Sequence, residues 1–161
     1  MPIRVAQVTT VDVSLRYMLR SHLEHLLRAG YEVVGISSPG DAVKAIEAMG
    51  VRHVGVAMTR RASTPAADLR SLVTLYLILR RGGFEVVHTH TPKANLLGQI
   101  AAWLARVPVR VATVHGLYFT PDMPFARRLF FQVTEKLSAL FPQTVFLVSQ
   151  EDARTARELR I

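Results

Sequence analysis

The sequence has no cysteine, which excludes disulfides, thiolate metal sites and a thiol nucleophile and fits a reducing compartment. It has no glycine before Gly30. A first strand near the amino terminus is therefore not followed by G-x-G-x-x-G, and a nicotinamide or flavin pyrophosphate lacks the close backbone approach it needs. Two further patterns are missing: G-x-x-x-x-G-K-[ST], which argues against a P-loop ATPase, and G-x-S-x-G, which leaves a hydrolase elbow without support. No window approaches about 18 uninterrupted apolar residues, so no spanning helix is expected. Residues 1–10 lack the long apolar stretch and cleavage site of a secretory signal. The expectation is a cytoplasmic protein whose membrane contact, if it has any, is peripheral, at the inner face of the cell membrane. Acidic residues are few, 12 against 20 basic, for a formal charge of +8. An arginine-rich surface of that kind favours phosphate-bearing sugars, anionic headgroups or nucleic acid, and equally suits plain solubility. The basic residues are scattered and no recognition motif accompanies them, so nucleic acid is not an expected partner.

What is present is a regular alternation. The chain has 161 residues, half of them hydrophobic and a fifth charged, the size and composition of one globular domain. Residues 3–8 form a β-branched run, and Ser14 can cap a helix whose apolar positions Leu15, Met18, Leu19, Leu23, Leu26 and Leu27 share a face, with Gly30 as its stop. Strand-like segments follow at 31–37, 51–58, 84–88, 109–114 and 144–148, separated by helical segments at 41–49, 68–81, 93–106 and 124–141, with a last helix from about Ser149. Such a succession predicts an α/β fold, a doubly wound Rossmann-like parallel sheet of about six strands in the order 3-2-1-4-5-6, covered by helices on both faces. The long irregular stretches, 59–67 and 116–123, follow strand ends, where ligands bind in open parallel sheets.

Several segments there can carry chemistry. His88-Thr89-His90-Thr91-Pro92-Lys93 leaves the fourth strand and opens a helix near Lys93, so free backbone N–H groups and an amine would face one space suited to phosphate or carboxylate. Metal binding by the two histidines is not expected, on the reading that His88 and His90 point to opposite faces and that no third ligand stands near. One of them can instead be a satisfied core histidine. Val114-His115-Gly116 ends the fifth strand. An imidazole there can bond a sugar hydroxyl or relay a proton near neutral pH, with Gly116 allowing close approach; the plainer alternative is that His115 only bonds the following loop. Arg60 and Arg61 can grip an anion or be solvated surface arginines. The helix at 124–141 pairs Arg127 and Arg128 with several phenylalanines. It either rests on a membrane or a partner, or turns the stripe Phe130, Val133, Leu137 and Leu140 into the core, which is the reading its spacing favours.

The string from Phe84 to Ala94, followed by Ala101-Ala102 and Val114-His115-Gly116, resembles the amino-terminal domain of family-4 retaining glycosyltransferases. Gly30-Tyr31-Glu32-Val33, the loop at 60–68 and Leu147-Val148-Ser149 agree in order and spacing, so the likeness spans the chain. It implies a two-domain GT-B enzyme in which this domain, residues 1–161, binds the acceptor, and a carboxyl-terminal domain beyond residue 161 binds the nucleotide sugar. It further implies sugar transfer from that donor to a saccharide or lipid-linked acceptor, as in bacterial polysaccharide or glycolipid synthesis, with retention, without a cofactor and without an obligatory metal. By the same resemblance His115 lines the sugar site as the candidate catalytic residue, and Lys93 and His90, with Thr91, edge the acceptor cleft. Arg60 and Gly116 complete the candidate contacts. Thr10 matches the loop after the first strand, where many members carry glycines that this sequence lacks. The family's paired glutamates and phosphate-gripping Arg and Lys belong to the second domain, so transfer by this segment alone is not expected. The rivals are half of a nucleotide-sugar epimerase, and a non-catalytic binding subunit that docks a membrane or a donor-domain partner.

Overall fold

The computed structural model describes residues 2–61, 64–120 and 122–159; positions 62, 63 and 121 of the two long loops lie outside them. Strands β1 (Arg4–Val11), β2 (Glu32–Ser38), β3 (Arg52–Gly55), β4 (Val86–Thr89), β5 (Val109–Val114) and β6 (Thr144–Leu147) form one sheet in the order β3-β2-β1-β4-β5-β6. Every pairing is parallel. The expected fold and strand order are those observed. The connecting helices are α1 (Arg20–Arg28), α2 (Val43–Glu47), α3 (Pro65–Arg81), α4 (Pro92–Leu104), α5 (Phe125–Ala139) and α6 (Gln150–Leu159). The helix expected to begin at Ser14 is broken in two: a π-helical turn spans Ser14–Met18, and α1 starts only at Arg20. Within the expected stripe, Leu15, Leu19 and Leu23 are buried while Met18 is exposed.

Side-chain alternation along the strands builds two cores, one per face of the sheet. Val34 and Ile36 of β2, with Ala6 and Val8 of β1 and Val87 of β4, pack beneath Leu75 and Leu79 of α3 and Leu97 and Ala101 of α4. The neighbouring parity, Val33, joins Leu15, Leu19, Leu23, Ile46 and Val51 on the other face. Each fully buried leucine or isoleucine contributes on the order of 2 kcal/mol relative to exposure. Close approach of α4 to the sheet requires Gly98, because a Cβ there would stand 2.8 Å from Thr89 Cγ2. Two amides of that helix then bond the sheet: Gln99 Nε2 donates to Thr89 Oγ1 at 2.8 Å and to the Val111 carbonyl at 2.6 Å, and Asn95 Nδ2 donates to the Thr113 carbonyl at 3.2 Å.

Helix α5 departs from expectation. The stripe Phe130, Val133, Leu137 and Leu140 faces outward, with Leu140 72% exposed, while Glu135 and Ser138 are buried. Helical spacing determines which residues share a face and not which face meets the protein. Here the inward positions are Phe131, Glu135 and Ser138, and they close over cavities rather than over a packed apolar layer.

Candidate functional site

The parallel sheet brings the ends of β1, β4 and β5 to one edge, and the sequence-predicted residues gather along it in two adjoining compartments. The larger, about 520 Å³, is lined by Thr10, Thr91, Lys93, Arg60, Arg61 and Arg127, with Phe130, Phe131 and Tyr118 as its apolar wall. The smaller, about 380 Å³, holds His90, His115, Gly116 and Asn95. Ser14, Thr91, Pro92, Tyr118 and Glu135 belong to both.

The loop after β1 has no glycine, and a carboxylate there takes one backbone donor from the loop and one from the residue before α2. Asp12, 5% exposed, accepts from the N–H groups of Val13 and Ala42, each at 2.9 Å. A Cβ on Gly40 would lie 2.8 Å from the same carboxylate. Thr10 is likewise engaged: its N–H donates to Thr91 Oγ1 at 2.9 Å, and the two hydroxyls lie 2.7 Å apart, joining the ends of β1 and β4.

Lys93 stands in the first turn of α4 as expected, yet its charge is balanced. Its Nζ donates to Asp68 Oδ1 at 2.7 Å, to Thr59 Oγ1 at 3.0 Å and to Thr64 Oγ1 at 3.3 Å. Burial pushes the Asp68 carboxyl up, and the bonds from Lys93 and Thr64 more than reverse this, holding it below the usual carboxylate range. Among the described residues, the positive charge lining the groove without an acidic partner is carried by the exposed Arg60, Arg61 and Arg127.

The histidines correct the sequence reading most directly. His88 and His90 do not point to opposite faces: residues two apart share a face of a strand, and their ring centroids are 4.0 Å apart. A third ring, His22 of α1, reaches the same place, with one ring nitrogen from each of the three within 4.8 Å of the others. These three could hold a metal ion, though Nε2 of each ring already has a protein partner. Gln7 of β1 accepts from His90 Nε2 at 2.6 Å and presents its amide nitrogen 3.4 Å from His22 Nε2, while His88 Nε2 lies 2.8 Å from Thr113 Oγ1. A metal bound through those Nε2 atoms would have to displace that network. With the Gln7 oxygen taking the Nε2 hydrogen, His90 Nδ1 is a bare acceptor, and His115 Nε2 lies 3.3 Å from it. Among the described residues His115 thus bonds His90 and not the following loop, and its Nδ1 is left as an acceptor on the exposed edge. Burial holds all four rings neutral: it lowers His22 and His115, brings His88 to about 4 with help from His22 and His115, and carries His90 well below its ordinary value. His90 itself is 3% exposed, and Gly116 has open space at its Cα.

Sequence reasoning missed Gln7, His22, Asn95 and Glu135. Gln7 left a signal as the one uncharged polar side chain in the run 3–8. Glu135 was hidden by the wrong choice of face for α5. It is 5% exposed and lines both compartments and also a third cavity of about 260 Å³. Burial, with a smaller contribution from Asp152, pushes its carboxyl up to about 7.

Known proteins share the fold. The glycosyl transferase 4-like domain matches residues 16–161. A UDP-Gal:alpha-D-GlcNAc-diphosphoundecaprenol alpha-1,3-galactosyltransferase of Escherichia coli is 36% identical over 85 residues, covering 53% of this chain and 22% of that protein. The capsular polysaccharide biosynthesis glycosyltransferase CapM of Staphylococcus aureus is 32% identical over 114 residues, covering 71% of this chain and 29% of CapM. A glycosyltransferase structure from Rickettsia africae superposes with a TM-score of 0.66 at 19% identity, over 99% of this chain and 40% of that one. The chain therefore spans less than a third of the length of these two curated relatives. The match over residues 16–161, most of the chain, shows that the chain belongs to the glycosyl transferase 4-like domain family.

Proposed function

We propose that the chain is the acceptor-side domain of a two-domain GT-B enzyme that moves a sugar from a nucleotide-sugar donor to a saccharide or lipid-linked acceptor in polysaccharide or glycolipid synthesis. The observation that carries this reading is the shared wall between the arginine groove and the compartment of His115. An anionic acceptor, such as a lipid-linked diphosphate sugar, would rest its phosphates on Arg60, Arg61 and Arg127 and its apolar part on Phe130 and Phe131. Its sugar would then lie against His115, where Nδ1 of a neutral imidazole accepts from a hydroxyl. The donor would sit mainly in a second domain, so electrostatic stabilisation of its leaving diphosphate is assigned there. Family membership favours transfer over epimerisation.

Symmetrical dimethyl diphosphate, a diester of constant charge near neutral pH, tests the groove. Titrated into the isolated chain and followed by NMR, it is expected to shift groove resonances. The paired substitution Arg60→Ser and Arg127→Ser should weaken its binding about tenfold or more. Equal binding by parent and variant would remove the anion-binding reading. In a two-domain form carrying this sequence, His115→Ala should lower kcat on the order of 100-fold, and unchanged turnover would leave only a binding subunit.

The outward stripe of α5 supports peripheral contact with an anionic membrane. Phe125, Leu129, Val133, Leu137 and Leu140 are exposed beside Arg127, an apolar face with adjacent positive charge. Co-sedimentation with anionic lipid vesicles should fall when Phe125 and Leu140 are both replaced by serine. Equal sedimentation with neutral vesicles, or no loss in the variant, would assign the stripe to a protein partner instead.

A further inference from the structure

Glu135 is the residue shared by all three cavities of the carboxyl edge among the described residues. It follows Arg127 and Phe131 at four-residue steps along α5, so one stripe of the helix carries a guanidinium, an aromatic ring and a carboxyl into the groove. The residue is 5% exposed, and its carboxyl has no hydrogen-bond partner among the described residues. An ionised carboxylate in that position would be desolvated and unpaired.

We propose that Glu135 is a proton-carrying contact of the groove, whose carboxyl donates an O–H hydrogen bond to a phosphate oxygen of the ligand held by Arg60, Arg61 and Arg127. The proposal rests on the anion-binding reading of that groove. A carboxylate beside a phosphate repels it, whereas a carboxylic acid donates to it, so the proton on Glu135 decides whether this wall attracts or rejects the ligand. The surrounding charges agree. Asp152 of α6 acts on Glu135 as a like charge, Lys93 of α4 is committed to Asp68 of α3, and His115 is held neutral. The positive groups left to share a ligand with Glu135 are Arg127 on its own helix and Arg60 and Arg61 on the facing loop. Burial keeps the proton on the carboxyl up to about pH 7.

The test is the same dimethyl diphosphate titration, run on the isolated chain at about pH 6 and about pH 8. If only the protonated form binds, the apparent Kd rises about tenfold across that interval, in proportion to the protonated fraction. Glu135→Gln, which keeps a donor at every pH, should bind like the parent at the lower pH and lose the pH dependence. Parallel weakening in parent and variant would overturn the proposal while leaving the groove intact. Binding that depends on Arg60 and Arg127 but not on pH would do the same. Absence of binding at the lower pH would remove the groove reading and the proposal together. If the glutamine variant does not fold, the Glu135 carboxyl can be followed by carbon NMR in the parent: ligand should move its titration midpoint upward, and an unmoved midpoint counts against the contact.

Discussion

Replacing Glu135 by glutamine is expected to flatten the stability profile between pH 4.5 and about 7. The carboxyl has an ordinary value of 4.5 and is raised to about 7 in the folded chain, first by burial and then by Asp152. Between those values the folded state binds the proton that the unfolded state releases. The associated stability is fully present below pH 4.5 and is lost as pH rises through about 7. A shift of that size corresponds to about 3 kcal/mol. Urea unfolding at a series of pH values should therefore show the glutamine variant gaining about 3 kcal/mol on the parent between acid and mildly alkaline conditions. A constant difference between the two proteins would mean that the buried acid does not keep its proton.

Acid should act on the histidine cluster with the opposite sign. His88 is lowered from 6.5 to about 4, mainly by burial and further by His22 and His115. Its folded-state value is depressed, so the stability linked to it is present above pH 6.5 and is lost as pH falls toward about 4. The loss amounts to no more than about 3 kcal/mol, since the ring is not fully buried. His90, His22 and His115 pull in the same direction. Over part of the same range Glu135 opposes them, so the net slope of the parent understates each. His88→Gln, which keeps a donor toward Thr113, should remove about one proton from the uptake on unfolding below neutrality. An unchanged proton uptake would show that His88 is already charged in the folded chain.

These groups also give the edge its chemical character. At neutral pH four imidazoles are uncharged, Lys93 is balanced by Asp68, and Glu135 stands near its midpoint. The groove's positive field is then left to a few exposed arginines, and a single buried proton can change its sign locally.

Fold class and strand order were legible because alternation and glycine stops depend on local spacing, and parallel βαβ units then leave few arrangements. The placement of Thr10, Thr91, Lys93, His115 and Gly116 at one edge followed from the same rule, since each lies at or just past a strand end. The sequence by itself thus determined the topology and the edge on which chemistry can occur. Tertiary structure decided which side chains at that edge are charged, buried or already engaged. Gln7 and His90 are 83 positions apart, and Lys93 and Asp68 are 25 apart, so no local pattern announces either contact. The facing of α5 was likewise open, because its periodicity is satisfied by either orientation and only packing against the cavities selects Glu135 for the inside. Local spacing sets the elements and their order; long-range contact and desolvation set the ionisation of the groups they carry.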